Sequence, residues 1–515
     1  MKRGNRKNRS EEKTARKGMG GMAGQGDLID MTEAIALLKT SRPTFYRWLR
    51  SGKIKGMKAG RQWRFYRSDI EAFVKGESPR IELAADIDPV IEILRTRLAE
   101  SGIEKVKRAD NKVRDVLQMA IALGAVSRAS DIHITSHIVP GEIHGQGALR
   151  YRVDGVLHIL AEFDIRLLAP IVEECKRLAA CDLHERRKPQ DGRIMIKLTE
   201  ISPKLPDMVL DLRTCFLPSM FGEAVTFRIL RATDVVRKLG DLPYNDHDRE
   251  RLLEAIRMPW GIVICTGPTG CGKTTTLYAC LQEIARPEAK VMSVEHPVEY
   301  MLPWVTQVQV RPDLGLDFPQ ILRSCLRSDP DVLMVGEIRD RDTVMGCIQA
   351  ALTGHLVMTT LHTDDAVGAL VRMQDIGVDP FLIGSSVKLV VAQRLIRKLC
   401  PKCATRTRAD KTGMQEYVAE AIRGGLDWEG LPKRFRKAVG CEHCMQTGYR
   451  GRTVISEALK VTAAIEQALK RGAGREELRE LAIQEGMLPM LADAMRRAAL
   501  GETSVSEALR LCRVR

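Results

Sequence analysis

A strand–loop–helix pattern at residues 261–279, GIVICTGPTGCGKTTTLYA, constrains the fold of this chain more than any other feature. The apolar residues 261–265 predict a buried strand, and the run after Thr274 favours a helix. Between them, residues 267–274 match the phosphate-loop pattern G-x-x-x-x-G-K-[ST] in the structural context that this pattern requires. The segment therefore predicts a nucleotide site at the edge of an α/β sheet.

The residue types in this loop suit contacts with a nucleotide phosphate and its metal ion. Glycines allow successive backbone N–H groups to surround a phosphate, and the following helix directs its positive end toward it. The Lys273 ammonium adds a positive charge beside the β- and γ-phosphates, and the Thr274 hydroxyl is a ligand for Mg²⁺. The predicted nucleotide-binding residues are Gly267, Pro268, Thr269, Gly270, Cys271, Gly272, Lys273, Thr274 and Thr275.

A second segment predicts the carboxylate that hydrolysis requires. Residues 332–335, VLMV, predict a buried strand, and Glu337 follows at its carboxyl end. Doubly wound sheets place their chemistry at that end of their strands, where a carboxylate can orient or deprotonate the attacking water. From about residue 236 onward, strands alternate with helices, which is typical of a parallel α/β sheet.

Several motifs occur in order along the chain. They are ASDIHI (129–134), DGVL (154–157), RKPQDGR (187–193), SVEHPVEY (293–300), LRSDPDVLMVGEIRD (326–340), TGHLVMTTLHT (353–363), QRLIRKLCPKC (393–403) and CMQTGYRGRT (444–453). Together they resemble those of the type II/IV secretion ATPases, the motors of type II secretion and type IV pilus assembly. The resemblance runs from about residue 108 to the C-terminus.

This resemblance implies roles for individual residues. Glu337 is expected to activate the water, with Glu295 and Glu299 near the γ-phosphate and the metal. His355 and His362 are expected to sense the γ-phosphate or stabilise the site. Arg213 and Arg228 match family arginines that reach the nucleotide from the smaller subdomain, where they neutralise phosphoryl charge when the site closes. The implied assembly is a homohexamer that uses ATP and Mg²⁺.

Two positions depart from the family pattern. His296 stands where the family usually has Asp, and Gln320 stands where it has Arg. Neither position belongs to the phosphate loop, so we expect hydrolysis to survive both changes. The two changes bear on the metal and phosphate contacts expected around residues 293–300.

Two Cys-x-x-Cys pairs, Cys400/Cys403 and Cys441/Cys444, are separated by 37 residues. In a reducing compartment, this spacing favours a closed, structural Cys₄ zinc site. Redox-active pairs and buried thiols are the alternatives. The resemblance places the zinc site on the face that docks a membrane platform protein. The other nine cysteines are scattered singly and fit small core residues.

Residues 27–78 predict a separate basic module. Thr32 is predicted to cap its first helix and Ser41 its second, and two strands joined at Ala59 and Gly60 are predicted to form a wing. This pattern resembles the excisionase/MerR-like winged helix-turn-helix family. The segment 39–68 contains ten Lys/Arg and no acidic residue, a distribution typical of phosphate contacts. The candidate contacts to double-stranded DNA are Arg42, Thr44, Arg47, Arg50, Lys58, Arg61 and Arg64. An acidic protein surface is the alternative partner, since helix-turn-helix folds host both functions.

The charge of the chain is concentrated at its N-terminus. Residues 1–80 hold 20 Lys/Arg and 8 Asp/Glu, which accounts for +12 of the net +15. The first residues lack the apolar region of a secretory signal, and no run of about 18 apolar residues occurs. We therefore expect a cytoplasmic protein that reaches the inner membrane only through partners.

The predicted fold is α/β, with a RecA-like P-loop NTPase core preceded by an α+β subdomain and a small winged helix-turn-helix domain. The predicted segments are a disordered basic tail (1–26), the winged helix-turn-helix (27–78), a linker (79–107), the N-terminal ATPase subdomain (108–235), the RecA-like core (236–398), a zinc-binding insert (399–452) and a helical C-terminal region (453–515).

The predicted function is that of an ATP-hydrolysing motor for type II secretion or type IV pilus-like assembly, acting through a membrane platform protein. The alternatives are a DNA-uptake or conjugation-type traffic ATPase and an ATP-gated DNA-binding transcription regulator.

Overall fold

The computed structural model of the chain describes residues 28–50, 54, 56–59, 62–74, 85–138, 145–231, 238–407 and 411–512. The chain divides into two compact units, residues 1–231 and 232–515. The division lies four residues before the predicted boundary at residues 235/236. Within the described ranges, no helix has both the length and the hydropathy that are needed to cross a membrane. The predicted basic tail, 1–26, lies outside the described residues.

The first unit begins with a small module built on three antiparallel strands in the order β1-β3-β2. Its core is the edge-to-face pair Phe45 and Phe65, whose ring centroids lie 5.2 Å apart, with Leu49, Ile54 and Ile70 buried around it. This is the predicted helix-turn-helix with its wing. The elements are β1 (Leu28–Asp30), α1 (Met31–Leu37), α2 (Arg42–Arg50), β2 (Met57–Ala59), β3 (Gln62–Tyr66) and α3 (Arg67–Val74).

The cap of α1 differs from the sequence prediction. Asp30 caps this helix, because its Oδ1 accepts hydrogen bonds from the backbone N–H groups of Thr32 (2.8 Å) and Glu33 (2.9 Å). The Glu33 carboxylate in turn accepts a hydrogen bond from the backbone N–H of Asp30 at 3.0 Å. This reciprocal capping box satisfies three N–H groups, which Thr32 in the first turn cannot do. The prediction that Thr32 caps α1 is therefore wrong.

The rest of the first unit is an α+β subdomain with a six-stranded antiparallel sheet in the order β6-β5-β4-β9-β8-β7. Along the central strands of this sheet, alternate side chains are buried in a core that they share with the helices. The side chains between them lie on the other face of the sheet and include most of its charged residues. The elements are α4 (Asp88–Glu100), α5 (Lys112–Val126), β4 (Asp131–Ile138), β5 (Gly145–Val153), β6 (Val156–Asp164), α6 (Leu168–Leu178), β7 (Gln190–Lys197), α7 (Leu198–Ile201), β8 (Val209–Ser219) and β9 (Gly222–Arg231).

The segment predicted as a linker, 79–107, contributes to this core. Its helix α4 buries Val90, Ile91, Leu94 and Leu98, and these side chains share one apolar cluster with α5 and the sheet. The apolar spacing of three and four residues along α4 is that of a helix with one buried face. From residue 88 the segment is a packed part of the subdomain.

The second unit is built on a seven-stranded sheet in the order β12-β11-β13-β14-β10-β15-β18. Every neighbouring pair is parallel except β15 and β18, which are antiparallel. The central strands are fully buried, as expected for a sheet with helices on both faces. Its strands and helices up to the cysteine region are α8 (Asp246–Ile256), β10 (Gly261–Thr266), α9 (Lys273–Ile284), β11 (Val291–Glu295), β12 (Val305–Gln309), α10 (Phe318–Leu326), β13 (Val332–Val335), α11 (Arg341–Leu352), β14 (Leu356–Leu361), α12 (Ala366–Asp375), α13 (Pro380–Ser386) and β15 (Val387–Leu399).

The cysteine region lies between β15 and its antiparallel partner β18. The ends of the two strands therefore bring the first and second cysteine pairs together. Helix α14, between the pairs, packs against α17 in the main core of the unit. The remaining elements are β16 (Thr405–Arg406), α14 (Lys411–Arg423), β17 (Arg436–Lys437), β18 (Tyr449–Lys460), α15 (Ala463–Lys470), α16 (Arg475–Gln484), α17 (Met490–Leu500) and α18 (Val505–Cys512).

Candidate functional site

The phosphate loop connects β10 to α9 as the sequence predicts. Gly267 and Gly272 adopt left-handed backbone conformations, with φ of +145° and +93°. A Cβ on Gly267 would lie 2.4 Å from the carbonyl oxygen of Gln393, so no larger residue fits there. Helix α9 begins at Lys273, and Thr274 and Thr275 follow in its first turn. Pro268, Thr269 and Gly270 are exposed at the tip of the loop.

The Lys273 ammonium lies inside the loop. Its Nζ donates hydrogen bonds to the carbonyl oxygens of Gly267 (2.7 Å) and Pro268 (3.2 Å). Burial lowers the pKa of Lys273, because removal from water disfavours the charged form. An anion bound in the loop would offset this loss of hydration.

Glu337 lies at the same edge of the sheet, after the carboxyl end of β13. One carboxylate oxygen lies 2.5 Å from the guanidinium of Arg339, and the other lies 3.3 Å from Nε2 of His362. Nδ1 of His362 lies 3.5 Å from Nζ of Lys273, so a chain of polar contacts joins Glu337 to the phosphate loop. Burial opposes ionisation of Glu337, but the Arg339 guanidinium and His362 outweigh it and lower the pKa of the carboxyl.

Arg339 was not among the predicted site residues. Its signal in the sequence is its position two residues after Glu337, in the turn between β13 and α11. It also lines a cleft of about 620 Å³ together with His296, one of the two departures from the family pattern. The other departure, Gln320, lies in the first turn of α10, where Asp317 accepts a hydrogen bond from its backbone N–H at 2.9 Å.

Glu295, the last residue of β11, is 3% exposed and fully engaged in hydrogen bonds. Its carboxylate accepts from the hydroxyls of Tyr278 and Ser293, the latter at 2.6 Å, and from Nε2 of Gln307 at 3.1 Å. The backbone N–H of Glu299 donates to the hydroxyl of Tyr278 at 3.3 Å. Glu295 therefore holds α9 and the segment after β11 together.

The two predicted histidines lie at opposite ends of one strand. His362 follows β14 at its carboxyl end, beside the phosphate loop, whereas His355 precedes the strand. Nδ1 of His355 lies 2.8 Å from the carbonyl oxygen of Ala350 and 3.1 Å from Oγ1 of Thr353. Six strand residues separate the two histidines by about 20 Å. The structure therefore brings His362 to the predicted site and does not bring His355 there.

Arg213 and Arg228, in the first unit, lie on the charged face of its sheet. Arg213 of β8 is directly opposite Arg228 of β9, and Arg228 is directly opposite Asp131 of β4. The guanidinium of Arg228 lies 3.4 Å from the Asp131 carboxylate. The structure thus pairs the two predicted arginines on one face.

The four predicted metal-binding sulfurs lie within 4.8 Å of one another. The separations are 3.9 Å for Cys400 and Cys441, 3.8 Å for Cys403 and Cys444, and 3.7 Å for Cys441 and Cys444. Tetrahedral Zn²⁺ with Zn–S bonds of about 2.3 Å has sulfur–sulfur edges of about 3.8 Å. The cluster therefore has the dimensions of a Cys₄ zinc site.

Backbone donors add to this fit. The N–H group of Gly440 lies 3.4 Å from the Cys403 sulfur, and the N–H groups of Cys441 and Gly448 lie 3.2 Å from the Cys444 sulfur. Such donors favour thiolates, which are the form that binds a metal. All four cysteines are free of disulfides.

The predicted DNA contacts fall on α2 and the wing. Arg42 and Arg47 are exposed on α2, and Thr44 is half-buried with its hydroxyl 2.9 Å from that of Ser41. On the wing, Arg64 donates a hydrogen bond to the Gln62 side chain at 3.2 Å. Arg61 and the side chains of Arg50 and Lys58 lie outside the described part of the structure.

Comparison with known proteins covers both parts of the chain. A family model described as "Type II/IV secretion system protein" matches residues 107–510, and a helix-turn-helix domain model matches residues 28–78. The chain is 40% identical over 386 residues to "Type II secretion system protein E" of Aeromonas hydrophila, covering 75% of this chain and 72% of that protein. It is 35% identical over 443 residues to "Type IV pilus assembly ATPase PilB" of Myxococcus xanthus, covering 86% and 75%.

Two solved structures share the fold. The ATPase DotB of Legionella pneumophila aligns with a TM-score of 0.55 and 20% identity, covering 77% of this chain and 94% of that one. The pilus retraction motor PilT with bound ADP aligns with a TM-score of 0.51 and 22% identity, covering 78% and 98%. These neighbours confirm the predicted fold class.

Proposed function

This chain belongs to the type II/IV secretion system protein family and is an ATPase motor of secretion or pilus assembly, and we propose that it adds pilin or pseudopilin subunits to a filament through a membrane platform protein. The contact chain from Glu337 through His362 to Lys273 is the observation that supports ATP hydrolysis by this chain most directly. It joins a carboxylate to the phosphate loop at the edge of the sheet where a nucleotide would bind.

We propose that ATP binds in the phosphate loop, with Lys273 beside its β- and γ-phosphates and Thr274 as a ligand of Mg²⁺. A bound Mg²⁺ would neutralise charge on the phosphates. Glu337 orients the attacking water and accepts its proton while the bond to the γ-phosphorus forms and the bond to the β-phosphate oxygen breaks. Arg339 pairs with one oxygen of Glu337, and a bound phosphate would compete with this carboxylate for the guanidinium.

The remaining predicted residues have supporting roles in this proposal. His362 links Glu337 to the γ-phosphate, and Glu295 and Glu299 keep the segment after β11 in place through Tyr278. Arg213 and Arg228 neutralise phosphoryl charge in a homohexamer. Their directly opposed positions support a shared anionic partner.

We propose that Cys400, Cys403, Cys441 and Cys444 hold one structural Zn²⁺. Such a site ties the ends of β15 and β18 together and has no open position for chemistry. Val439 and Met445, close to the second cysteine pair in the chain, have exposed apolar side chains. This surface fits a platform protein at the inner membrane.

Three measurements test the motor proposal. The purified chain should hydrolyse ATP and should form a six-fold ring with a non-hydrolysable ATP analogue, seen by mass measurement. In the source cell, Glu337→Gln in the chromosomal copy should stop filament assembly or secretion. Normal assembly with a variant that no longer hydrolyses ATP would refute the motor.

A second function, binding of double-stranded DNA, is favoured by the helix-turn-helix module with Arg42 and Arg47 exposed on α2. Three to five phosphate contacts predict that log affinity falls with log salt with a slope of roughly −3 to −5. Deletion of residues 1–80 should remove DNA binding and leave ATP turnover intact. If the full chain does not bind duplex DNA at about 50 mM salt, the module instead binds an acidic protein surface.

A further inference from the structure

We propose that Gln393 is a positioning residue for ATP binding, whose side-chain amide sets the orientation of the Cys271–Gly272 peptide in the phosphate loop; this rests on the nucleotide binding proposed above. Gln393 lies on β15, next to β10. Ala392 pairs with Thr266, the last residue of β10, so Gln393 is level with the first residue of the loop. The sequence motifs did not assign it a role.

The amide of Gln393 makes a direct hydrogen bond to the loop. Its Nε2 donates to the carbonyl oxygen of Cys271 at 2.8 Å, and the residue is 2% exposed. A backbone carbonyl only accepts hydrogen bonds, so the nitrogen of the amide must face it. On the other side, Oε1 lies 2.5 Å from the hydroxyl of Tyr244 and 3.0 Å from that of Thr276, both of which can donate. The amide therefore has one favourable orientation.

This hydrogen bond determines the direction of a phosphate-binding group. In a trans peptide, the C=O of one residue and the N–H of the next point in opposite directions within one plane. Because Gln393 holds the carbonyl of Cys271 toward β15, the N–H of Gly272 is directed away from β15. Gly272 is the N-cap of α9, where free N–H groups bind anions.

Gln393 also contacts the other end of the loop. A Cβ on Gly267 would lie 2.4 Å from the backbone carbonyl oxygen of Gln393, and one on Gly272 would lie 3.3 Å from its Nε2. One residue of β15 thus touches both ends of the phosphate loop. A side chain that served only to fill the core would not need a buried amide, since burial of an amide is costly without hydrogen-bond partners.

Two substitutions test this role. Gln393→Glu keeps the size of the side chain and its acceptor for Tyr244 and Thr276, but when ionised its carboxylate only accepts hydrogen bonds and cannot donate to Cys271. Gln393→Met keeps the approximate volume and loses all the hydrogen bonds. Since a loop N–H contacts the phosphate in both the ground state and the transition state, its misdirection should raise KM more than it lowers kcat.

Ser456→Ala is the matched control. Ser456 is directly opposite Gln393 on β18, is fully buried, and donates a hydrogen bond to Asp248 at 2.6 Å. Its loss removes one buried hydrogen bond from the same sheet without touching the loop. It should lower the melting temperature and leave KM for ATP within about 2-fold of the native value.

The experiment measures binding of a non-hydrolysable ATP analogue and steady-state ATP turnover by the full chain. For Gln393→Glu we expect Kd and KM to rise about 10-fold or more, with kcat within about 3-fold. If Gln393→Glu does not fold, Gln393→Met decides, with an expected rise in Kd of at least about 3-fold. Native-like Kd and KM in the folded variants overturn the role of Gln393. Failure of the unmodified chain to bind the analogue would instead refute the proposed nucleotide site itself.

Discussion

Arg213 and Arg228 occupy directly opposed positions on the neighbouring antiparallel strands β8 and β9. Like charges in such cross-strand pairs destabilise a sheet. Asp131, directly opposite Arg228 on its other side, offsets part of this repulsion. Two guanidinium groups on one face of a sheet are well suited to bind an anion.

Replacement of either arginine by Ala should lower kcat for ATP by about 100-fold or more, because charge that develops on the phosphoryl group is no longer neutralised. The melting temperature should change little, since either substitution removes the like-charge pair, and Arg228→Ala also removes the ion pair with Asp131. Arg166→Ala is the control, as this arginine forms a surface ion pair with Asp164. A large fall in stability with little change in kcat would show that the pair is structural.

Lys273→Ala and Glu337→Gln should separate binding from chemistry. Loss of the ammonium removes a charge from the phosphates, so Lys273→Ala should abolish nucleotide binding and turnover together. The Glu337→Gln variant should still bind ATP but hydrolyse it at least about 100-fold more slowly, because only water activation is lost. Fluorescent-nucleotide binding and phosphate release measure the two effects. Normal turnover by Glu337→Gln would mean that another group activates the water.

Substitution of the two histidines by Ala should have different effects. His362 contacts Glu337 and lies near Lys273, so its loss should lower kcat at least about 10-fold. His355 lies beside the carbonyl of Ala350 at the other edge of the sheet, so its loss should lower the melting temperature and change kcat by less than about 3-fold. Reversal of this pattern would indicate that His355 acts on a neighbouring subunit.

Arg339→Ala should shift the pH dependence of hydrolysis. In the native protein, Arg339 and His362 lower the pKa of Glu337 against the effect of burial, so the carboxylate stays ionised to a pH below the usual range for Glu. Without the guanidinium the pKa rises, and the acid limb of kcat/KM should move to higher pH. Arg341→Ala is the control, because Arg341 donates to the carbonyl of Gly377 instead. An acid limb that does not move would mean that Glu337 does not control it.

Elemental analysis should find close to one zinc per chain, and a Cys400→Ser, Cys403→Ser double variant should lose it. The melting temperature should fall in the same variant, since the ends of β15 and β18 are no longer tied. The single variant Cys347→Ser changes a buried cysteine outside the cluster and should keep its zinc. Full zinc content in the double variant would exclude the Cys₄ site.

Local sequence patterns were sufficient to predict much of the candidate site. The strand before the phosphate loop, the strand Val332–Val335 and both cysteine pairs are visible in the sequence, because each is a short run whose chemistry depends on its immediate neighbours. The basic composition of residues 39–68 likewise indicated a compact module. The fold class followed from the alternation of strands and helices.

Other features depended on contacts between distant segments. His355 and His362 belong to one motif, yet the strand between them puts them at opposite edges of the sheet. The register of β8 against β9 decides that Arg213 meets Arg228, and the adjacency of β10 and β15 brings Gln393 to Cys271. Strand order and register are set by long-range pairing, which a local pattern does not encode. The sequence therefore determined which chemical groups are available, and the tertiary structure decided which of them meet.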